Sequence, residues 1–432
     1  MSVIPGEPTS PTDDLAAGVL ATKDDSSQTL KSLGLRKLLV TLPLAIASFT
    51  VFWGAVQFIL IPIQVQTIDP EGQAGSLALI VGIGAISSMI AAPIAGALSD
   101  RTRTRIGGRA PWMIVGAVAT LLLAITLGFA TTIPLIVVIV VAMQFTTNLI
   151  LTPVSAYIPD RVPIAKRGVF SSVYGAAQLV GGVIGQTLGA GFAAAIPLGY
   201  IVVASILAGL VILFALTNIR SNIGEPRPKL SARIILSTFW VNPIAHPNFA
   251  LTFFGRFLVF VGYFPLLTFQ LYLLQDFIGL KGNAVDAIPV LGLASLIGQL
   301  AGAVFGGLIV QRLGRTKPII FAASVILILG LIVPLLWPTM EGMIAYSALA
   351  GLGIGTYIAV DLVLITLVLP SANDAGKDLG IINITTTLPQ TIGVVVGAIA
   401  VGVFGTYAAL FPIAIVAVVV GAVLLKFIRG VK

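Results

Sequence analysis

The chain has 432 residues, 57% of them hydrophobic and only 9% charged, with a mean hydropathy of +1.08. Soluble domains carry roughly a quarter charged residues and transmembrane barrels alternate apolar with polar positions, so apolar runs of about twenty residues succeeding one another from Leu38 to Phe427 exclude both and predict an all-α polytopic membrane protein. The absence of cysteine and the single histidine, His246, exclude disulfides, thiolate sites and His-pair metal centres, and the net charge of +8 sits in short loops beside the apolar runs, which argues against a nucleic-acid partner.

Residues 1–37 mix Pro5, Pro8 and Pro11 with Asp13, Asp14, Asp24 and Asp25 and hold too little apolar surface to bury, which predicts a disordered tail. No basic segment precedes an apolar one there, so the tail does not read as a signal peptide. Hydropathy and Gly, Pro and charge breaks then predict about twelve spans, near 38–63, 76–98, 112–131, 133–158, 168–191, 196–217, 248–274, 286–310, 318–337, 342–369, 379–404 and 406–428.

The first span carries Trp53, Gln57 and Gln64 at helical spacing, and the fourth carries Gln144, Asn148 and Thr152 four apart. Between the second and third lies a charged stretch, Gly96-Ala97-Leu98-Ser99-Asp100-Arg101-Thr102-Arg103-Thr104-Arg105-Ile106-Gly107-Gly108-Arg109. The fifth span repeats glycine every four residues at Gly181, Gly185 and Gly189, a groove in which backbones approach closely. The segment 218–247 contains Pro226, Pro228, Pro243 and Pro247 around an apolar cluster from Leu230 to Trp240. It reads as a linker with an interfacial helix between an N-terminal six-helix bundle, 38–217, and a C-terminal one, 248–432.

In the seventh span Thr252, Arg256, Tyr263 and Gln270 share a face. The eighth repeats the glycine groove at Gly298, Gly302 and Gly306, and the tenth places Tyr357 one turn before Asp361. Arg256 and Asp361 are the ionisable residues deep in the spans, each roughly 12–14 Å inside at about 1.5 Å per residue. An unpaired charge at that depth costs about 2.5–3.5 kcal/mol, so the two are expected to pair, as a structural tie or as a proton-coupling element. The third, sixth, ninth and twelfth spans have apolar centres suited to lipid, whereas the first, fourth, seventh and tenth carry the polar stripes and predict a central path.

An even span count puts both termini on one face. All but two of the 24 basic residues lie on it, the exceptions being Lys281 and Arg256, so that face is expected to be cytoplasmic and the host the plasma (inner) membrane. The halves repeat: Gly96 to Arg101 corresponds to Gly307 to Arg312, and at the same offset Pro159 matches Pro370 and Lys166 matches Lys377.

These residues carry a resemblance. Ser99-Asp100-Arg101-Thr102-Arg103-Thr104-Arg105 with Gly107 and Arg109, followed by Ala110-Pro111-Trp112, resembles the loop between helices two and three of the major facilitator superfamily. It is most like that of the glycoside–pentoside–hexuronide:cation symporters and the related sucrose-type carriers. Pro159-Asp160-Arg161-Val162-Pro163 with Arg167-Gly168 is similar to their loop between helices four and five. The resemblance covers about 38–428 and implies a fold of two six-helix pseudo-symmetric bundles, with no enzymatic activity and no cofactor.

It also implies transport of a sugar or glycoside coupled to a cation. Melibiose-type members hold membrane carboxylates in helix two, whereas residues 76–98 hold none, which favours the proton over sodium. A latch is implied in which Gly96, Asp100, Arg101, Arg109 and Arg312 gate the cytoplasmic side, with Asp100 meeting the N-terminal end of helix eleven near Gly380. The family arrangement pairs helix five with helix eight, so the two glycine rows are expected to face each other across the halves. The substrate-cavity candidates are Trp53, Gln57, Gln144, Asn148, Arg256, Tyr263, Gln270, Tyr357 and Asp361, in a chain functional as a monomer in the lipid bilayer. A drug or metabolite exporter on the same fold is the alternative, and a non-transporting sensor or intramembrane enzyme a more distant one.

Overall fold

The computed structural model describes residues 34–219, 221–223, 247–280, 282–313, 315–368 and 375–428, with the side chains of 164–165, 362–363, 365–368 and 375–387 outside that description. The N-terminal tail, most of the linker with its expected interfacial helix, and His246 lie outside the described residues.

Among the described residues twelve long helices follow one another: α1 (Leu35–Ile68), α2 (Gln73–Arg101), α3 (Ala110–Gly128), α4 (Ile133–Ser155), α5 (Ile164–Gly191), α6 (Ile196–Thr217), α7 (Pro247–Thr268), α8 (Ala284–Leu313), α9 (Lys317–Leu336), α10 (Met340–Val368), α11 (Ala375–Phe404) and α12 (Leu410–Lys426). Eleven apolar stretches in these helices are long enough to cross a bilayer, and the apolar part of α11, Leu388–Phe404, is a shorter twelfth. Proline opens α3, α4, α6 and α9 at Pro111, Pro134, Pro197 and Pro318, where the first-turn N–H has no intrahelical partner to lose. Gly405, at φ +67°, closes α11 in the left-handed conformation that a side chain would strain.

Two spans depart from simple helices. α1 runs past its expected end at 63 to Ile68 and contains a π-turn at Val56–Leu60. The seventh span, expected to run unbroken to 274, stops at Thr268, resumes as Gln270–Tyr272 and ends in a π-turn at Leu273–Phe277. Pro265 lies in the last turn before the break and cannot donate to the helical ladder.

The two halves repeat one packing plan. α1 packs on α5 and α6, α2 on α4, and α3 on α4 and α6; in the second half α7 packs on α11 and α12, α8 on α10, and α9 on α10 and α12. Each contact in one half has its counterpart in the other, so the architecture is two six-helix bundles related by pseudo-symmetry. Between the bundles α2 meets α11 and α5 meets α8. Outer positions such as Val118 and Leu122 on α3, Leu213 and Leu216 on α6, Val325 and Leu329 on α9, and Val419 and Val423 on α12 are exposed, as surfaces solvated by lipid must be.

The glycine rows do not face each other, contrary to the sequence expectation. A Cβ added at Gly181 or Gly185 would overlap α1, at Ala47 O and Thr50 Oγ1 or at Val51 O, and at Gly189 it would come within 3.0 Å of Ile59. Gly298 and Gly302 press in the same way on α10 at Ala348 O and Leu352 O, and Gly306 on Thr356. The grooves therefore bring helices together within each half. α5 and α8 do touch, but through Val183 and Gln186 against Gly292. A small-residue groove gives close approach without naming the partner, and here the nearest backbone belongs to the same bundle.

Candidate functional site

A cavity of about 280 Å³ lies among α1, α2, α4 and α11. Its wall combines the rings of Phe49, Trp53 and Phe58, the carboxamides of Gln57, Gln144 and Gln390, the hydroxyl of Ser88 and aliphatic side chains such as Ile61, Ile80 and Leu151, with no charged side chain among the described residues. Trp53 and Gln57 are one turn apart on α1 and Gln144 faces them from α4, so three of the expected residues meet here. Ser88, Gln390, Phe49 and Phe58 were missed. Ser88 and Gln390 lie in short polar runs of α2 and α11, outside the four polar stripes, and Phe49 and Phe58 are apolar neighbours of Trp53 and Gln57 on α1 with no polar signal of their own.

The other polar residues of those stripes point elsewhere. Asn148 is buried and donates to Ser88 Oγ (2.9 Å) and Gln144 O (2.8 Å), and Thr152 meets Gly96 of α2. A spacing of four advances about 40° beyond a full turn, which carries the α4 stripe off the cavity and onto α2. Gln64 is buried against α3 and α6: its Nε2 donates to Leu127 O (2.9 Å) and Ala130 O (2.8 Å), and its Oε1 accepts from Tyr200 Oη (2.8 Å). It caps the turn that ends α3, bonding Ala130 O and sharing Leu127 O with the Ala130 N–H. The wide π-turn between Gln57 and Gln64 rotates the second amide about a quarter turn away from the first.

The C-terminal candidates form a separate site. Arg256 Nη1 donates to Asp361 Oδ2 across α7 and α10, with the carboxylate side chain 1% and the guanidinium 13% exposed. Phe260 packs its ring against the guanidinium (5.3 Å) and edge-on to Tyr357 (6.3 Å). Asp361 Oδ1 and Tyr357 Oη, one turn apart on α10, are buried without a hydrogen-bond partner among the described residues. Tyr263 is buried beside Ser295 of α8, and Gln270 is buried in the short helix after the α7 break. None of these residues lines the α1–α2–α4–α11 cavity. The four polar stripes thus divide between a cavity walled mainly by the first half, with Gln390 from the second, and an ion pair within the second.

On the face where α1 begins and α12 ends, the charged stretch folds into a polar pocket of about 520 Å³. Arg109 Nη1 lies 2.5 Å from Asp160 Oδ2 and its Nη2 lies 3.6 Å from Asp100 Oδ1. Arg161 stacks over Tyr157 at 4.6 Å. Asn222, just beyond α6, ties the loop from below: its Nδ2 donates to Thr102 O (2.9 Å) and its Oδ1 accepts from Thr104 N (3.1 Å). A Cβ at Gly108 would come within 2.7 Å of Thr102 O, Ser99 O and the Asn222 amide, which requires glycine. Gly96 has only an ordinary contact with Thr152, and Arg101 and Arg312 are exposed. The expected contact of Asp100 with α11 near Gly380 falls among side chains outside the description. Asp160 and Asn222 were not foreseen as partners because they come from other loops.

On the opposite face, residues of the two bundles bond across the pseudo-symmetry axis. Gln66 and Gln275 exchange amide hydrogen bonds (2.8 and 3.3 Å), and Tyr272 Oη donates to Pro62 O (2.9 Å). The irregular ends of α1 and α7 place these groups in register.

The sequence matches the Major Facilitator Superfamily over residues 44–368. The chain belongs to this superfamily. It is accordingly a multi-pass membrane transporter and not an enzyme. No curated protein matches it. Among solved structures, the nucleoside transporter NupG superposes with a TM-score of 0.71 at 15% identity, covering 91% of this chain and 100% of that one. A bacterial homologue of the human lysosomal transporter Spinster, inward-facing and unoccupied, superposes with a TM-score of 0.68 at 16% identity, covering 91% and 95%. These likenesses concern the fold that superfamily members share.

Proposed function

We propose that this superfamily member is a secondary active transporter working by alternating access, and that it takes up a small neutral sugar or glycoside together with protons. One observation carries the reading: among the described residues, the α1–α2–α4–α11 cavity is lined by aromatic rings, carboxamides and aliphatic side chains and by no charge. Rings stack on the apolar faces of sugars, and each carboxamide offers both donors and an acceptor to hydroxyls. The volume falls just below the roughly 300–1,000 Å³ of pockets for drug-sized ligands, which suits a small solute.

The positive-inside distribution supports a cytoplasmic orientation, in the plasma membrane, for the face where α1 begins and α12 ends. With the bundles bonded through Gln66–Gln275 and Tyr272–Pro62 on the other face, this arrangement is inward-facing. In the coupling step Asp361 takes a proton, its charge is lost, and Arg256 is released, so that proton binding biases the packing of α7 against α10. The described cavity residues all come from one chain, which supports the monomer as the working unit.

The same lining favours a second reading, because a nucleoside is an N-glycoside whose base also stacks on rings and bonds carboxamides. The test is uptake into proteoliposomes of labelled monosaccharides, glycosides and nucleosides, with and without an imposed proton gradient. Accumulation of one class that collapses with the gradient is the expected result. Gradient-driven extrusion would instead identify an exporter, and absence of flux for every neutral solute would overturn the reading.

A further inference from the structure

We infer that Gln390 is the specificity-determining residue through which the second bundle reads the solute, and that its contact converts occupancy into movement of the bundles. The inference rests on the charge-free cavity being the substrate site. Among the described residues, every other one lining that cavity belongs to α1, α2 or α4, whereas Gln390 comes from α11. A solute stacked on Trp53 and bonded by Gln57 and Gln144 is held by the first bundle alone. Among the described lining residues, a bond to Gln390 is the one that gives it a differential interaction with the two relative positions of the bundles, and a ligand shifts a conformational equilibrium only by such a difference.

The placement of Gln390 fits this role. The next residue, Thr391, and Val395 one turn on, lie against Gly82 of α2, where the bundles meet. One turn of α11 therefore carries both the cavity amide and the inter-bundle seam, so α11 cannot shift along α2 without moving Gln390 relative to Gln57 and Gln144. Pro389, immediately before, gives no N–H to the helix and leaves this turn easier to bend. The carboxamide also sets chemistry: it accepts from a hydroxyl or amine and donates to a ring oxygen, and it provides no counter-charge for an ionic solute.

The experiment uses the full chain in detergent and the best-binding member of a panel of uncharged monosaccharides, methyl glycosides and nucleosides, chosen by thermal shift. Gln57→Leu, Gln144→Leu and Gln390→Leu keep side-chain volume and remove hydrogen bonding. Each is expected to weaken binding about tenfold, as loss of one net hydrogen bond does. Because the chain has no cysteine, spin labels at Ile219→Cys and Lys426→Cys report the separation of the bundles on the terminus-bearing face. The solute should change that distance in the parent and in Gln57→Leu at saturation, but not in Gln390→Leu. If Gln390→Leu binds as the parent does, or moves as the parent does, the inference is overturned while the cavity reading stands. If the parent binds no member of the panel, the cavity reading fails and takes the inference with it.

Discussion

Replacing Asp361 with asparagine tests the ion pair that joins α7 to α10. The carboxylate is 1% exposed and accepts directly from Arg256 Nη1. Removing one partner of a buried pair costs about 3–5 kcal/mol, and a guanidinium deep in a span about 2.5–3.5 kcal/mol on insertion scales, so both routes converge near 3 kcal/mol. Replacing both groups, as Arg256→Gln with Asp361→Asn, removes the stranded charge together with the pair and should recover more than half of that loss. The assay is a double-mutant cycle on thermal unfolding of purified protein, followed by proteoliposome uptake of the four variants. A structural tie predicts that the double variant regains stability and gradient-driven uptake together; a coupling element predicts that stability returns and the response to the gradient does not. Additive losses in the double variant, or an Asp361→Asn protein that melts with the parent, would refute the argument from the buried charge.

Other expectations concern contacts away from the pair. Gln64→Leu should destabilise the first bundle by about 2–3 kcal/mol, because Tyr200 Oη and Ala130 O lose their side-chain partner and Leu127 O loses one of two donors, yet leave solute affinity unchanged, which thermal melting and binding together check. Gly185→Ala drives a methyl group into Val51 O and should cost about 1–3 kcal/mol, whereas at Gly182 the same change meets nothing within 4 Å and should be neutral or stabilising; the two melting temperatures decide it. Arg109→Gln removes the links to Asp160 and Asp100 and should raise the labelling of a cysteine placed at the buried Ser99, while the change of exposed Arg101 to Gln should not. Gln66→Ala should loosen the opposite face and increase labelling of a cysteine at Phe58 from that side; unchanged labelling would remove Gln66–Gln275 from the closing contact.

The charged loop shows how far local pattern reaches. Its acid, arginines and glycines were readable as a functional unit, but the closing partners of Arg109 and Thr104 are Asp160 and Asn222, which sit roughly 50 and 120 positions along the chain, and no spacing rule connects them. The α4 stripe illustrates a different limit. Gln144, Asn148 and Thr152 look equivalent at intervals of four, yet helical drift turns only Gln144 toward the cavity. Gln57 and Gln64 were separated by a π-turn, a one-residue irregularity without a distinct residue signature in this stretch.

Sequence by itself determined the all-helical membrane class, the positions of the spans, the duplication and the one pair of ionisable groups able to meet in the interior. These follow from hydropathy, the cost of an uncompensated charge and the covalent order of the chain, which act locally or one span at a time. Tertiary structure alone decided that the glycine rows close α1 on α5 and α8 on α10, that the cavity is charge-free and draws Gln390 from the second bundle, and that Arg256 and Asp361 stand apart from it. Those outcomes depend on the rotation of each helix about its axis, which a turn of π-helix or a proline break resets and which only packing against every neighbour fixes.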